Sequence, residues 1–269
     1  MELELEKITK SFSSLTIDKS YEYEYQYNIE KNIEKIIKIQ KYFRGYIFRL
    51  KRLPLILYII QKYLKSRMFN FSKQTEDGRI NSCLDEDEII KLLIERFNNK
   101  IKKPKIRMWY DILVFDYIYG WIPVNIKTTT TSTSDNTGNL AMCVYSYTDE
   151  ILDINSDKDK SYENGKMSEI LFKKLKDKKY NKNHKKDYYF IVLNKTDNTD
   201  IIINSVKGLK NLTANINNLP FQVNWSKNRD FYYENINKKV KLFIDCLQKP
   251  KLGWKETFMT NVRTLSSNI

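Results

Sequence analysis

Residues 107–129, "RMWYDILVFDYIYGWIPVNIKTT", decide how this chain is read. Apolar residues run through Ile112–Phe115 and again through Trp121–Ile126, and Gly120 sits between the two runs. β-Branched and aromatic runs punctuated by a glycine read as two strands joined by a tight turn. The second run carries an anomaly. Asn125 and Lys127 are two apart, so they project from the same face of a strand. A core strand has no use for that pair, whereas an active site has. Asp111, inside "WYDILVFD", is read as part of the first strand, and a hairpin brings it onto the same surface.

The flanks supply helices and further strands. "DEDEIIKLLIERF", from Asp85, has acids in its first turn, where the helix dipole favours them, and a stripe of Ile90, Leu93 and Phe97. Beyond the Thr-rich run 128–131, "DNTGNLAMCVYSY" reads as a helix capped by Asp135, and "SEILFKKLKD" as a short helix. "DYYFIVLNK" and "DIIINSV" read as strands and "FQVNW" as a third. "YENINKKVKLFIDCLQK" is a closing helix whose Ile236, Val240, Phe243 and Leu247 share a face. The order helix, strands, helix, strands, helix predicts an α/β (α+β) domain over residues 80–269.

Upstream the charge is segregated. Residues 1–30 hold three lysines against seven acids, and residues 31–67 hold eleven Lys or Arg against Glu34 alone. Such asymmetry marks an appendage. Residues 1–29 are expected to lack regular structure. Residues 30–79 are expected to form a basic helical extension followed by a linker, with Pro54 breaking or restarting the helix. The 269-residue chain carries a net charge of +14, which favours polyanionic partners, although its richness in Lys, Asn, Ile and Tyr is also what an AT-rich coding sequence gives. Three scattered cysteines without a CxxC, and a single His184 in a lysine-rich loop, exclude a Cys/His zinc site and a disulfide scaffold. The start "MELELEKITK" has no signal-peptide core, and no apolar run spans a membrane, so the expectation is a soluble intracellular protein of cytoplasm or nucleus, with no membrane partner.

Two resemblances follow. Asp111, then Asn125-Ile126-Lys127 on the next strand, resembles the active-site pattern of the PD-(D/E)xK nuclease superfamily, found in many type II restriction endonucleases. "PVNIK" followed by a polar loop, "DN" and a helix is similar to a segment of such enzymes, and "NNLPFQVNWSKNR" to one nearer their C-terminus. The resemblance implies a restriction-endonuclease-like central mixed sheet flanked by helices and a DNA endonuclease using Mg²⁺, with Mn²⁺ as a substitute. It implies Asp111, Asn125 and the Ile126 carbonyl as metal ligands and Lys127 as the residue that orients water or stabilises charge at phosphorus. Asn125 departs from the pattern, which asks for a carboxylate there. The family's preceding helix often contributes a Glu, and Glu95 is the first choice to compensate, then Glu88, then Asp116 or Asp135. Gln222, Asn224 and Arg229 are the expected DNA contacts, since amides pair with adenine and Arg with guanine. The substrate is then double-stranded DNA, and a homodimer suits a palindromic site.

In the basic helix, Ile39, Gln40, Arg44, Gly45 and Arg49 resemble an IQ motif, which implies binding of calmodulin or a calmodulin-like protein. Arg52 stands where the full pattern has an apolar residue. The rival reading is a catalytically inactive DNA-binding or calmodulin-binding adaptor.

Overall fold

The computed structural model describes residues 27–28, 30–41, 53–71, 78–104, 108–154, 164–215 and 220–247. The chain divides into two units, Met1–Leu50 and Lys51–Ile269. In the first, residues 30–41 are helical, with Ile33, Ile36, Ile37 and Ile39 exposed. Of the IQ-like residues, Arg44, Gly45 and Arg49 lie outside the described residues, as do residues 1–26.

The second unit is mixed α/β, a mixed sheet between helices. Its five strands are β1 (Ile101–Lys102), β2 (Ile112–Asp116), β3 (Gly120–Thr129), β5 (Tyr189–Asn194) and β6 (Asp197–Ser205), in the order β1-β2-β3-β5-β6. β1–β2, β2–β3 and β5–β6 are antiparallel, and β3–β5 is parallel. The parallel step needs a crossover. The chain between β3 and β5 supplies it, with α3 (Leu140–Tyr147) and α4 (Asn164–Lys176).

Period-two alternation deals the strand side chains onto two cores. Ile112, Val114, Ile122, Val124, Ile126, Ile191 and Ile203 pack with α1 (Leu55–Lys65) and α2 (Gly78–Phe97). Leu113, Phe190, Val192 and Ile202 pack with α3, α4 and α5 (Ile236–Leu247). Strands covered on both faces read as continuous apolar runs, as β2 and β5 do. β3 is the exception. Its first face is apolar, while its second carries Asn125, Lys127 and Thr129. Pro123 is tolerated in this central strand because pairing with β5 begins only at Val124, beyond it.

Several expected elements are seen with altered bounds. The boundary of the main domain lies near residue 50 rather than 80. Pro54 stands at the N-cap of α1, and α1 packs on the sheet, burying Ile56, Leu57, Ile60 and Leu64. In sequence its lysines, Lys62 and Lys65, made it look like a continuation of the basic arm. Asp135 does not cap α3. Asn139 does so, its Oδ1 accepting from Met142 N at 2.7 Å. Asp135 instead belongs to a two-stranded ribbon of β4 (Ser134–Asp135) and β7 (Val223–Asn224). The closing helix is as expected, with Ile236, Val240, Phe243 and Leu247 buried.

Candidate active site

The site exists because β3 outruns β2. β2 pairs with β3 from Asp116↔Gly120 to Ile112↔Val124 and stops, while β3 continues to Thr129 against β5 alone. The N–H groups that would have met a longer β2 are those of Ile126 and Thr128. Backbone groups at such an edge demand partners, and here both are carboxylates. Asp111 Oδ2 accepts from Ile126 N at 2.8 Å, and Glu86 Oε1 accepts from Thr128 N at 3.3 Å. Asp111, one residue before β2, stands across from Asn125, whose Nδ2 donates to Asp111 Oδ2 at 2.6 Å. Lys127 Nζ is 3.5 Å from Glu86 Oε1. In a strand the N–H and C=O of one residue point the same way, so the Ile126 carbonyl also faces this open edge.

A third acid approaches from the other side. Asp135 accepts from Thr129 Oγ1 at 3.1 Å and from Trp225 Nε1 at 2.7 Å. Asp111, Glu86 and Asp135 all have pKa values raised above the ordinary carboxylate range. Burial is the leading cause for each, and it outweighs the opposing attraction of Lys127, which all three share. Asp87 raises Asp111 further and Asp111 raises Glu86. Asn125 Oδ1 is buried without a hydrogen-bond partner. A bare, buried amide oxygen beside a carboxylate is an unpaid desolvation cost.

The expected residues sort cleanly. Asp111, Asn125, Ile126 and Lys127 are brought together. Glu95 is not with them: it is exposed, nine residues and about 13 Å further along α2 than Glu86. Glu88 is exposed too. Asp116 is buried at the opposite end of the hairpin, where it accepts from Ile118 N, Tyr119 N and Ile56 N at 2.8, 3.1 and 3.2 Å, holding the turn and the start of α1. Asn224 ends β7 opposite Ser134, and Gln222 immediately precedes that strand, in the ribbon that holds Asp135. Arg229 is about half exposed, and its guanidinium pairs with Asp200. His184 lies half-buried in the loop before β5.

Glu86 was the acid missed. Its signal was present: it precedes Ile90 by four residues and Leu93 by seven, so it lies on the packed face of the helix. The adjacent Asp85, also buried, meets Lys195 Nζ at 2.9 Å just beyond β5, which fixes the rotation of α2 that aims Glu86 at Lys127.

Among the described residues, no three His, Cys, Asp or Glu side chains form a metal cluster by themselves. The edge offers a different donor set: the carboxylates of Asp111 and Glu86, the Ile126 carbonyl and the unpartnered Asn125 Oδ1. These are all oxygens, the type that Mg²⁺ takes. In donor chemistry the residues fit that ion. Among the described residues no helix is long and apolar enough to cross a membrane. No protein-family model, curated protein or solved structure matches the chain, so a functional reading rests on the geometry of this open edge.

Proposed function

We propose that the chain is a DNA endonuclease that hydrolyses phosphodiester bonds with Mg²⁺, of the PD-(D/E)xK restriction-endonuclease-like type. One observation carries the reading: the helix preceding the strands delivers Glu86 to Lys127, 3.5 Å away, beside the Asp111–Asn125 pair. The family pattern asks for a second carboxylate at Asn125, and Glu86 supplies that charge from the helix.

Asp111, Glu86, Asn125 and the Ile126 carbonyl would hold the ion, which supplies charge neutralisation at the phosphate and polarisation of the attacking water. Lys127 presents an ammonium to the non-bridging phosphate oxygens, where negative charge grows as the nucleophile attacks. Glu86 stands 3.5 Å from Lys127 Nζ, which holds the ammonium beside the carboxylates that would take the ion. Asp111 holds the end of β3 through Ile126 N, so Lys127 is fixed relative to the carboxylates.

The test is cleavage of diverse, unmodified plasmid DNA with Mg²⁺ or Mn²⁺. Asp111→Ala, Lys127→Ala and Glu86→Ala should each lose about 100-fold or more, while Glu95→Ala keeps wild-type rates. A wild type that cuts nothing, or cutting that survives the first two substitutions, overturns the reading. A separate binding role is supported for the N-terminal helix, where Ile33, Ile36 and Ile37 are exposed at helical spacing between lysines. Such a face suits an acidic, calmodulin-like groove, and Gln40→Ala should weaken capture.

A further inference from the structure

The β4–β7 ribbon stands apart from the main sheet and has two dissimilar faces. Residues directly opposite in a ladder share a face, so the registers Asp135↔Val223 and Ser134↔Asn224 sort its side chains. Asp135, Val223 and the flanking Phe221 and Trp225 point inward, the three apolar ones into the core. Ser134, Asn224 and, by alternation, Asn136 and Gln222 belong to the outer face. None of these four is charged.

The outer amides are held in a network. Asn136 Oδ1 accepts from Gln222 Nε2 at 2.9 Å and from the buried Asn215 Nδ2 at 2.6 Å. Asn224 Nδ2 donates to Ser132 O at 3.1 Å, and its Oδ1 accepts from Ser226 Oγ at 2.6 Å. With Asn136 Oδ1 as the acceptor, Gln222 uses its Nε2 for this bond. One N–H of that amide is engaged. Among the described residues no hydrogen bond uses its Oε1 or its second N–H, and the group is partly exposed.

An uncharged amide face is a poor phosphate anchor and a good reader of base edges. A two-stranded ribbon fits the DNA major groove, and a Gln or Asn amide pairs bidentately with adenine N6 and N7. Arg229, the residue that would read guanine, is paired with Asp200. The ribbon also touches the candidate site, because Asp135, on its inner face, is the third acid around Lys127. We propose that the β4–β7 ribbon reads adenine-containing base pairs in the major groove, with Gln222 making the base contact and Asn136 and Asn215 as positioning residues. The proposal rests on double-stranded DNA being the substrate.

The test is selection of full-length Asp111→Ala protein, in which cleavage is blocked, against a random duplex library, followed by sequencing of the bound fraction. Enrichment of A·T pairs at fixed positions is expected. Adding Gln222→Ala should reduce that discrimination about ten-fold while leaving the melting temperature and the affinity for bulk DNA nearly unchanged. Adding Asn136→Ala should blur it, and Asn136→Asp, which keeps the acceptor, should restore it at lower overall affinity. A purely structural amide network would move the melting temperature and leave the sequence preference intact, which would overturn the proposal. Asp111-dependent plasmid cleavage by the wild-type chain without an adenine preference overturns the ribbon alone. Adenine preference without cleavage overturns the nuclease alone. Failure to retain any duplex overturns both.

Discussion

At the scale of single residues, the site is kept at a cost in stability. Asp111 is a carboxylate whose pKa burial raises, so the folded state resists its ionisation. Between the ordinary Asp value of 3.8 and the raised folded value, the folded state binds more protons than the unfolded chain, and stability falls as pH rises. Above the raised folded value the whole penalty is present. Asp111→Asn keeps an acceptor for Ile126 N and removes the charge. It should abolish cleavage yet raise the melting temperature at pH 7 by a few degrees, the response of a domain of this size to about 1 kcal/mol. The gain should shrink to nothing by pH 3, where both states of the wild type are protonated. A wild type more stable than this variant at pH 7 would mean that Lys127 and the hydrogen bonds outweigh burial.

At the scale of elements, hairpin geometry separates two acids that look alike in sequence. Asp111 and Asp116 bracket β2, and each accepts backbone N–H groups. Asp111 lies where β3 runs past its partner. Asp116 lies at the turn, where Gly120 takes φ 72°, a left-handed conformation that favours glycine. Asp116→Ala strips acceptors from Ile118, Tyr119 and the first turn of α1. Loss of a charged acceptor by the buried Ile56 N–H and by two part-buried turn N–H groups should cost about 2–4 kcal/mol in denaturant unfolding. Activity per folded molecule should be unchanged. A selective loss of activity instead would make Asp116 part of the site.

At the scale of the whole molecule, the basic composition is not all surface. Lys186, Lys207 and Lys239 lie largely within the fold, their Nζ atoms donating to main-chain carbonyls at 2.5–2.9 Å. Burial pulls each down to about 8 from the ordinary 10.5. Below pH 8 both states are protonated and the folded state bears the full cost of enclosing these charges. From pH 8 towards 10.5 the unfolded chain binds more protons than the folded one, so stability rises with pH. Cys143, raised by burial well above its ordinary 9.0, opposes the trend from about pH 9, and Tyr147, Tyr188 and Tyr189, raised well above the ordinary value of 10.0 by burial, add to it above pH 10, against three lysines. The melting temperature at pH 9.5 should therefore exceed that at pH 7.5. A flat or falling profile across that interval would mean that these lysines are solvated in the folded state.

Local pattern by itself determined the longer strands, most of the helices and the one anomalous face. Runs of β-branched and aromatic residues identified β2, β3 and β5, three- and four-residue spacing identified α2 and α5, and Asn125 with Lys127 on one side of β3 marked the candidate site. These are properties of neighbours along the chain, fixed by backbone geometry. Only the tertiary structure decided which acid meets Lys127, because that depends on where β2 stops and how α2 is rotated against the sheet. Four consecutive acids, Asp85 to Glu88, are nearly equivalent in sequence. Packing of Ile89, Ile90 and Leu93 turns two of them inward, giving Asp85 to Lys195 and Glu86 to Lys127. Long-range pairing also moved Asp135 from helix cap to ribbon and bound Arg229 to Asp200, since charge partners far apart in sequence are chosen by the fold as a whole.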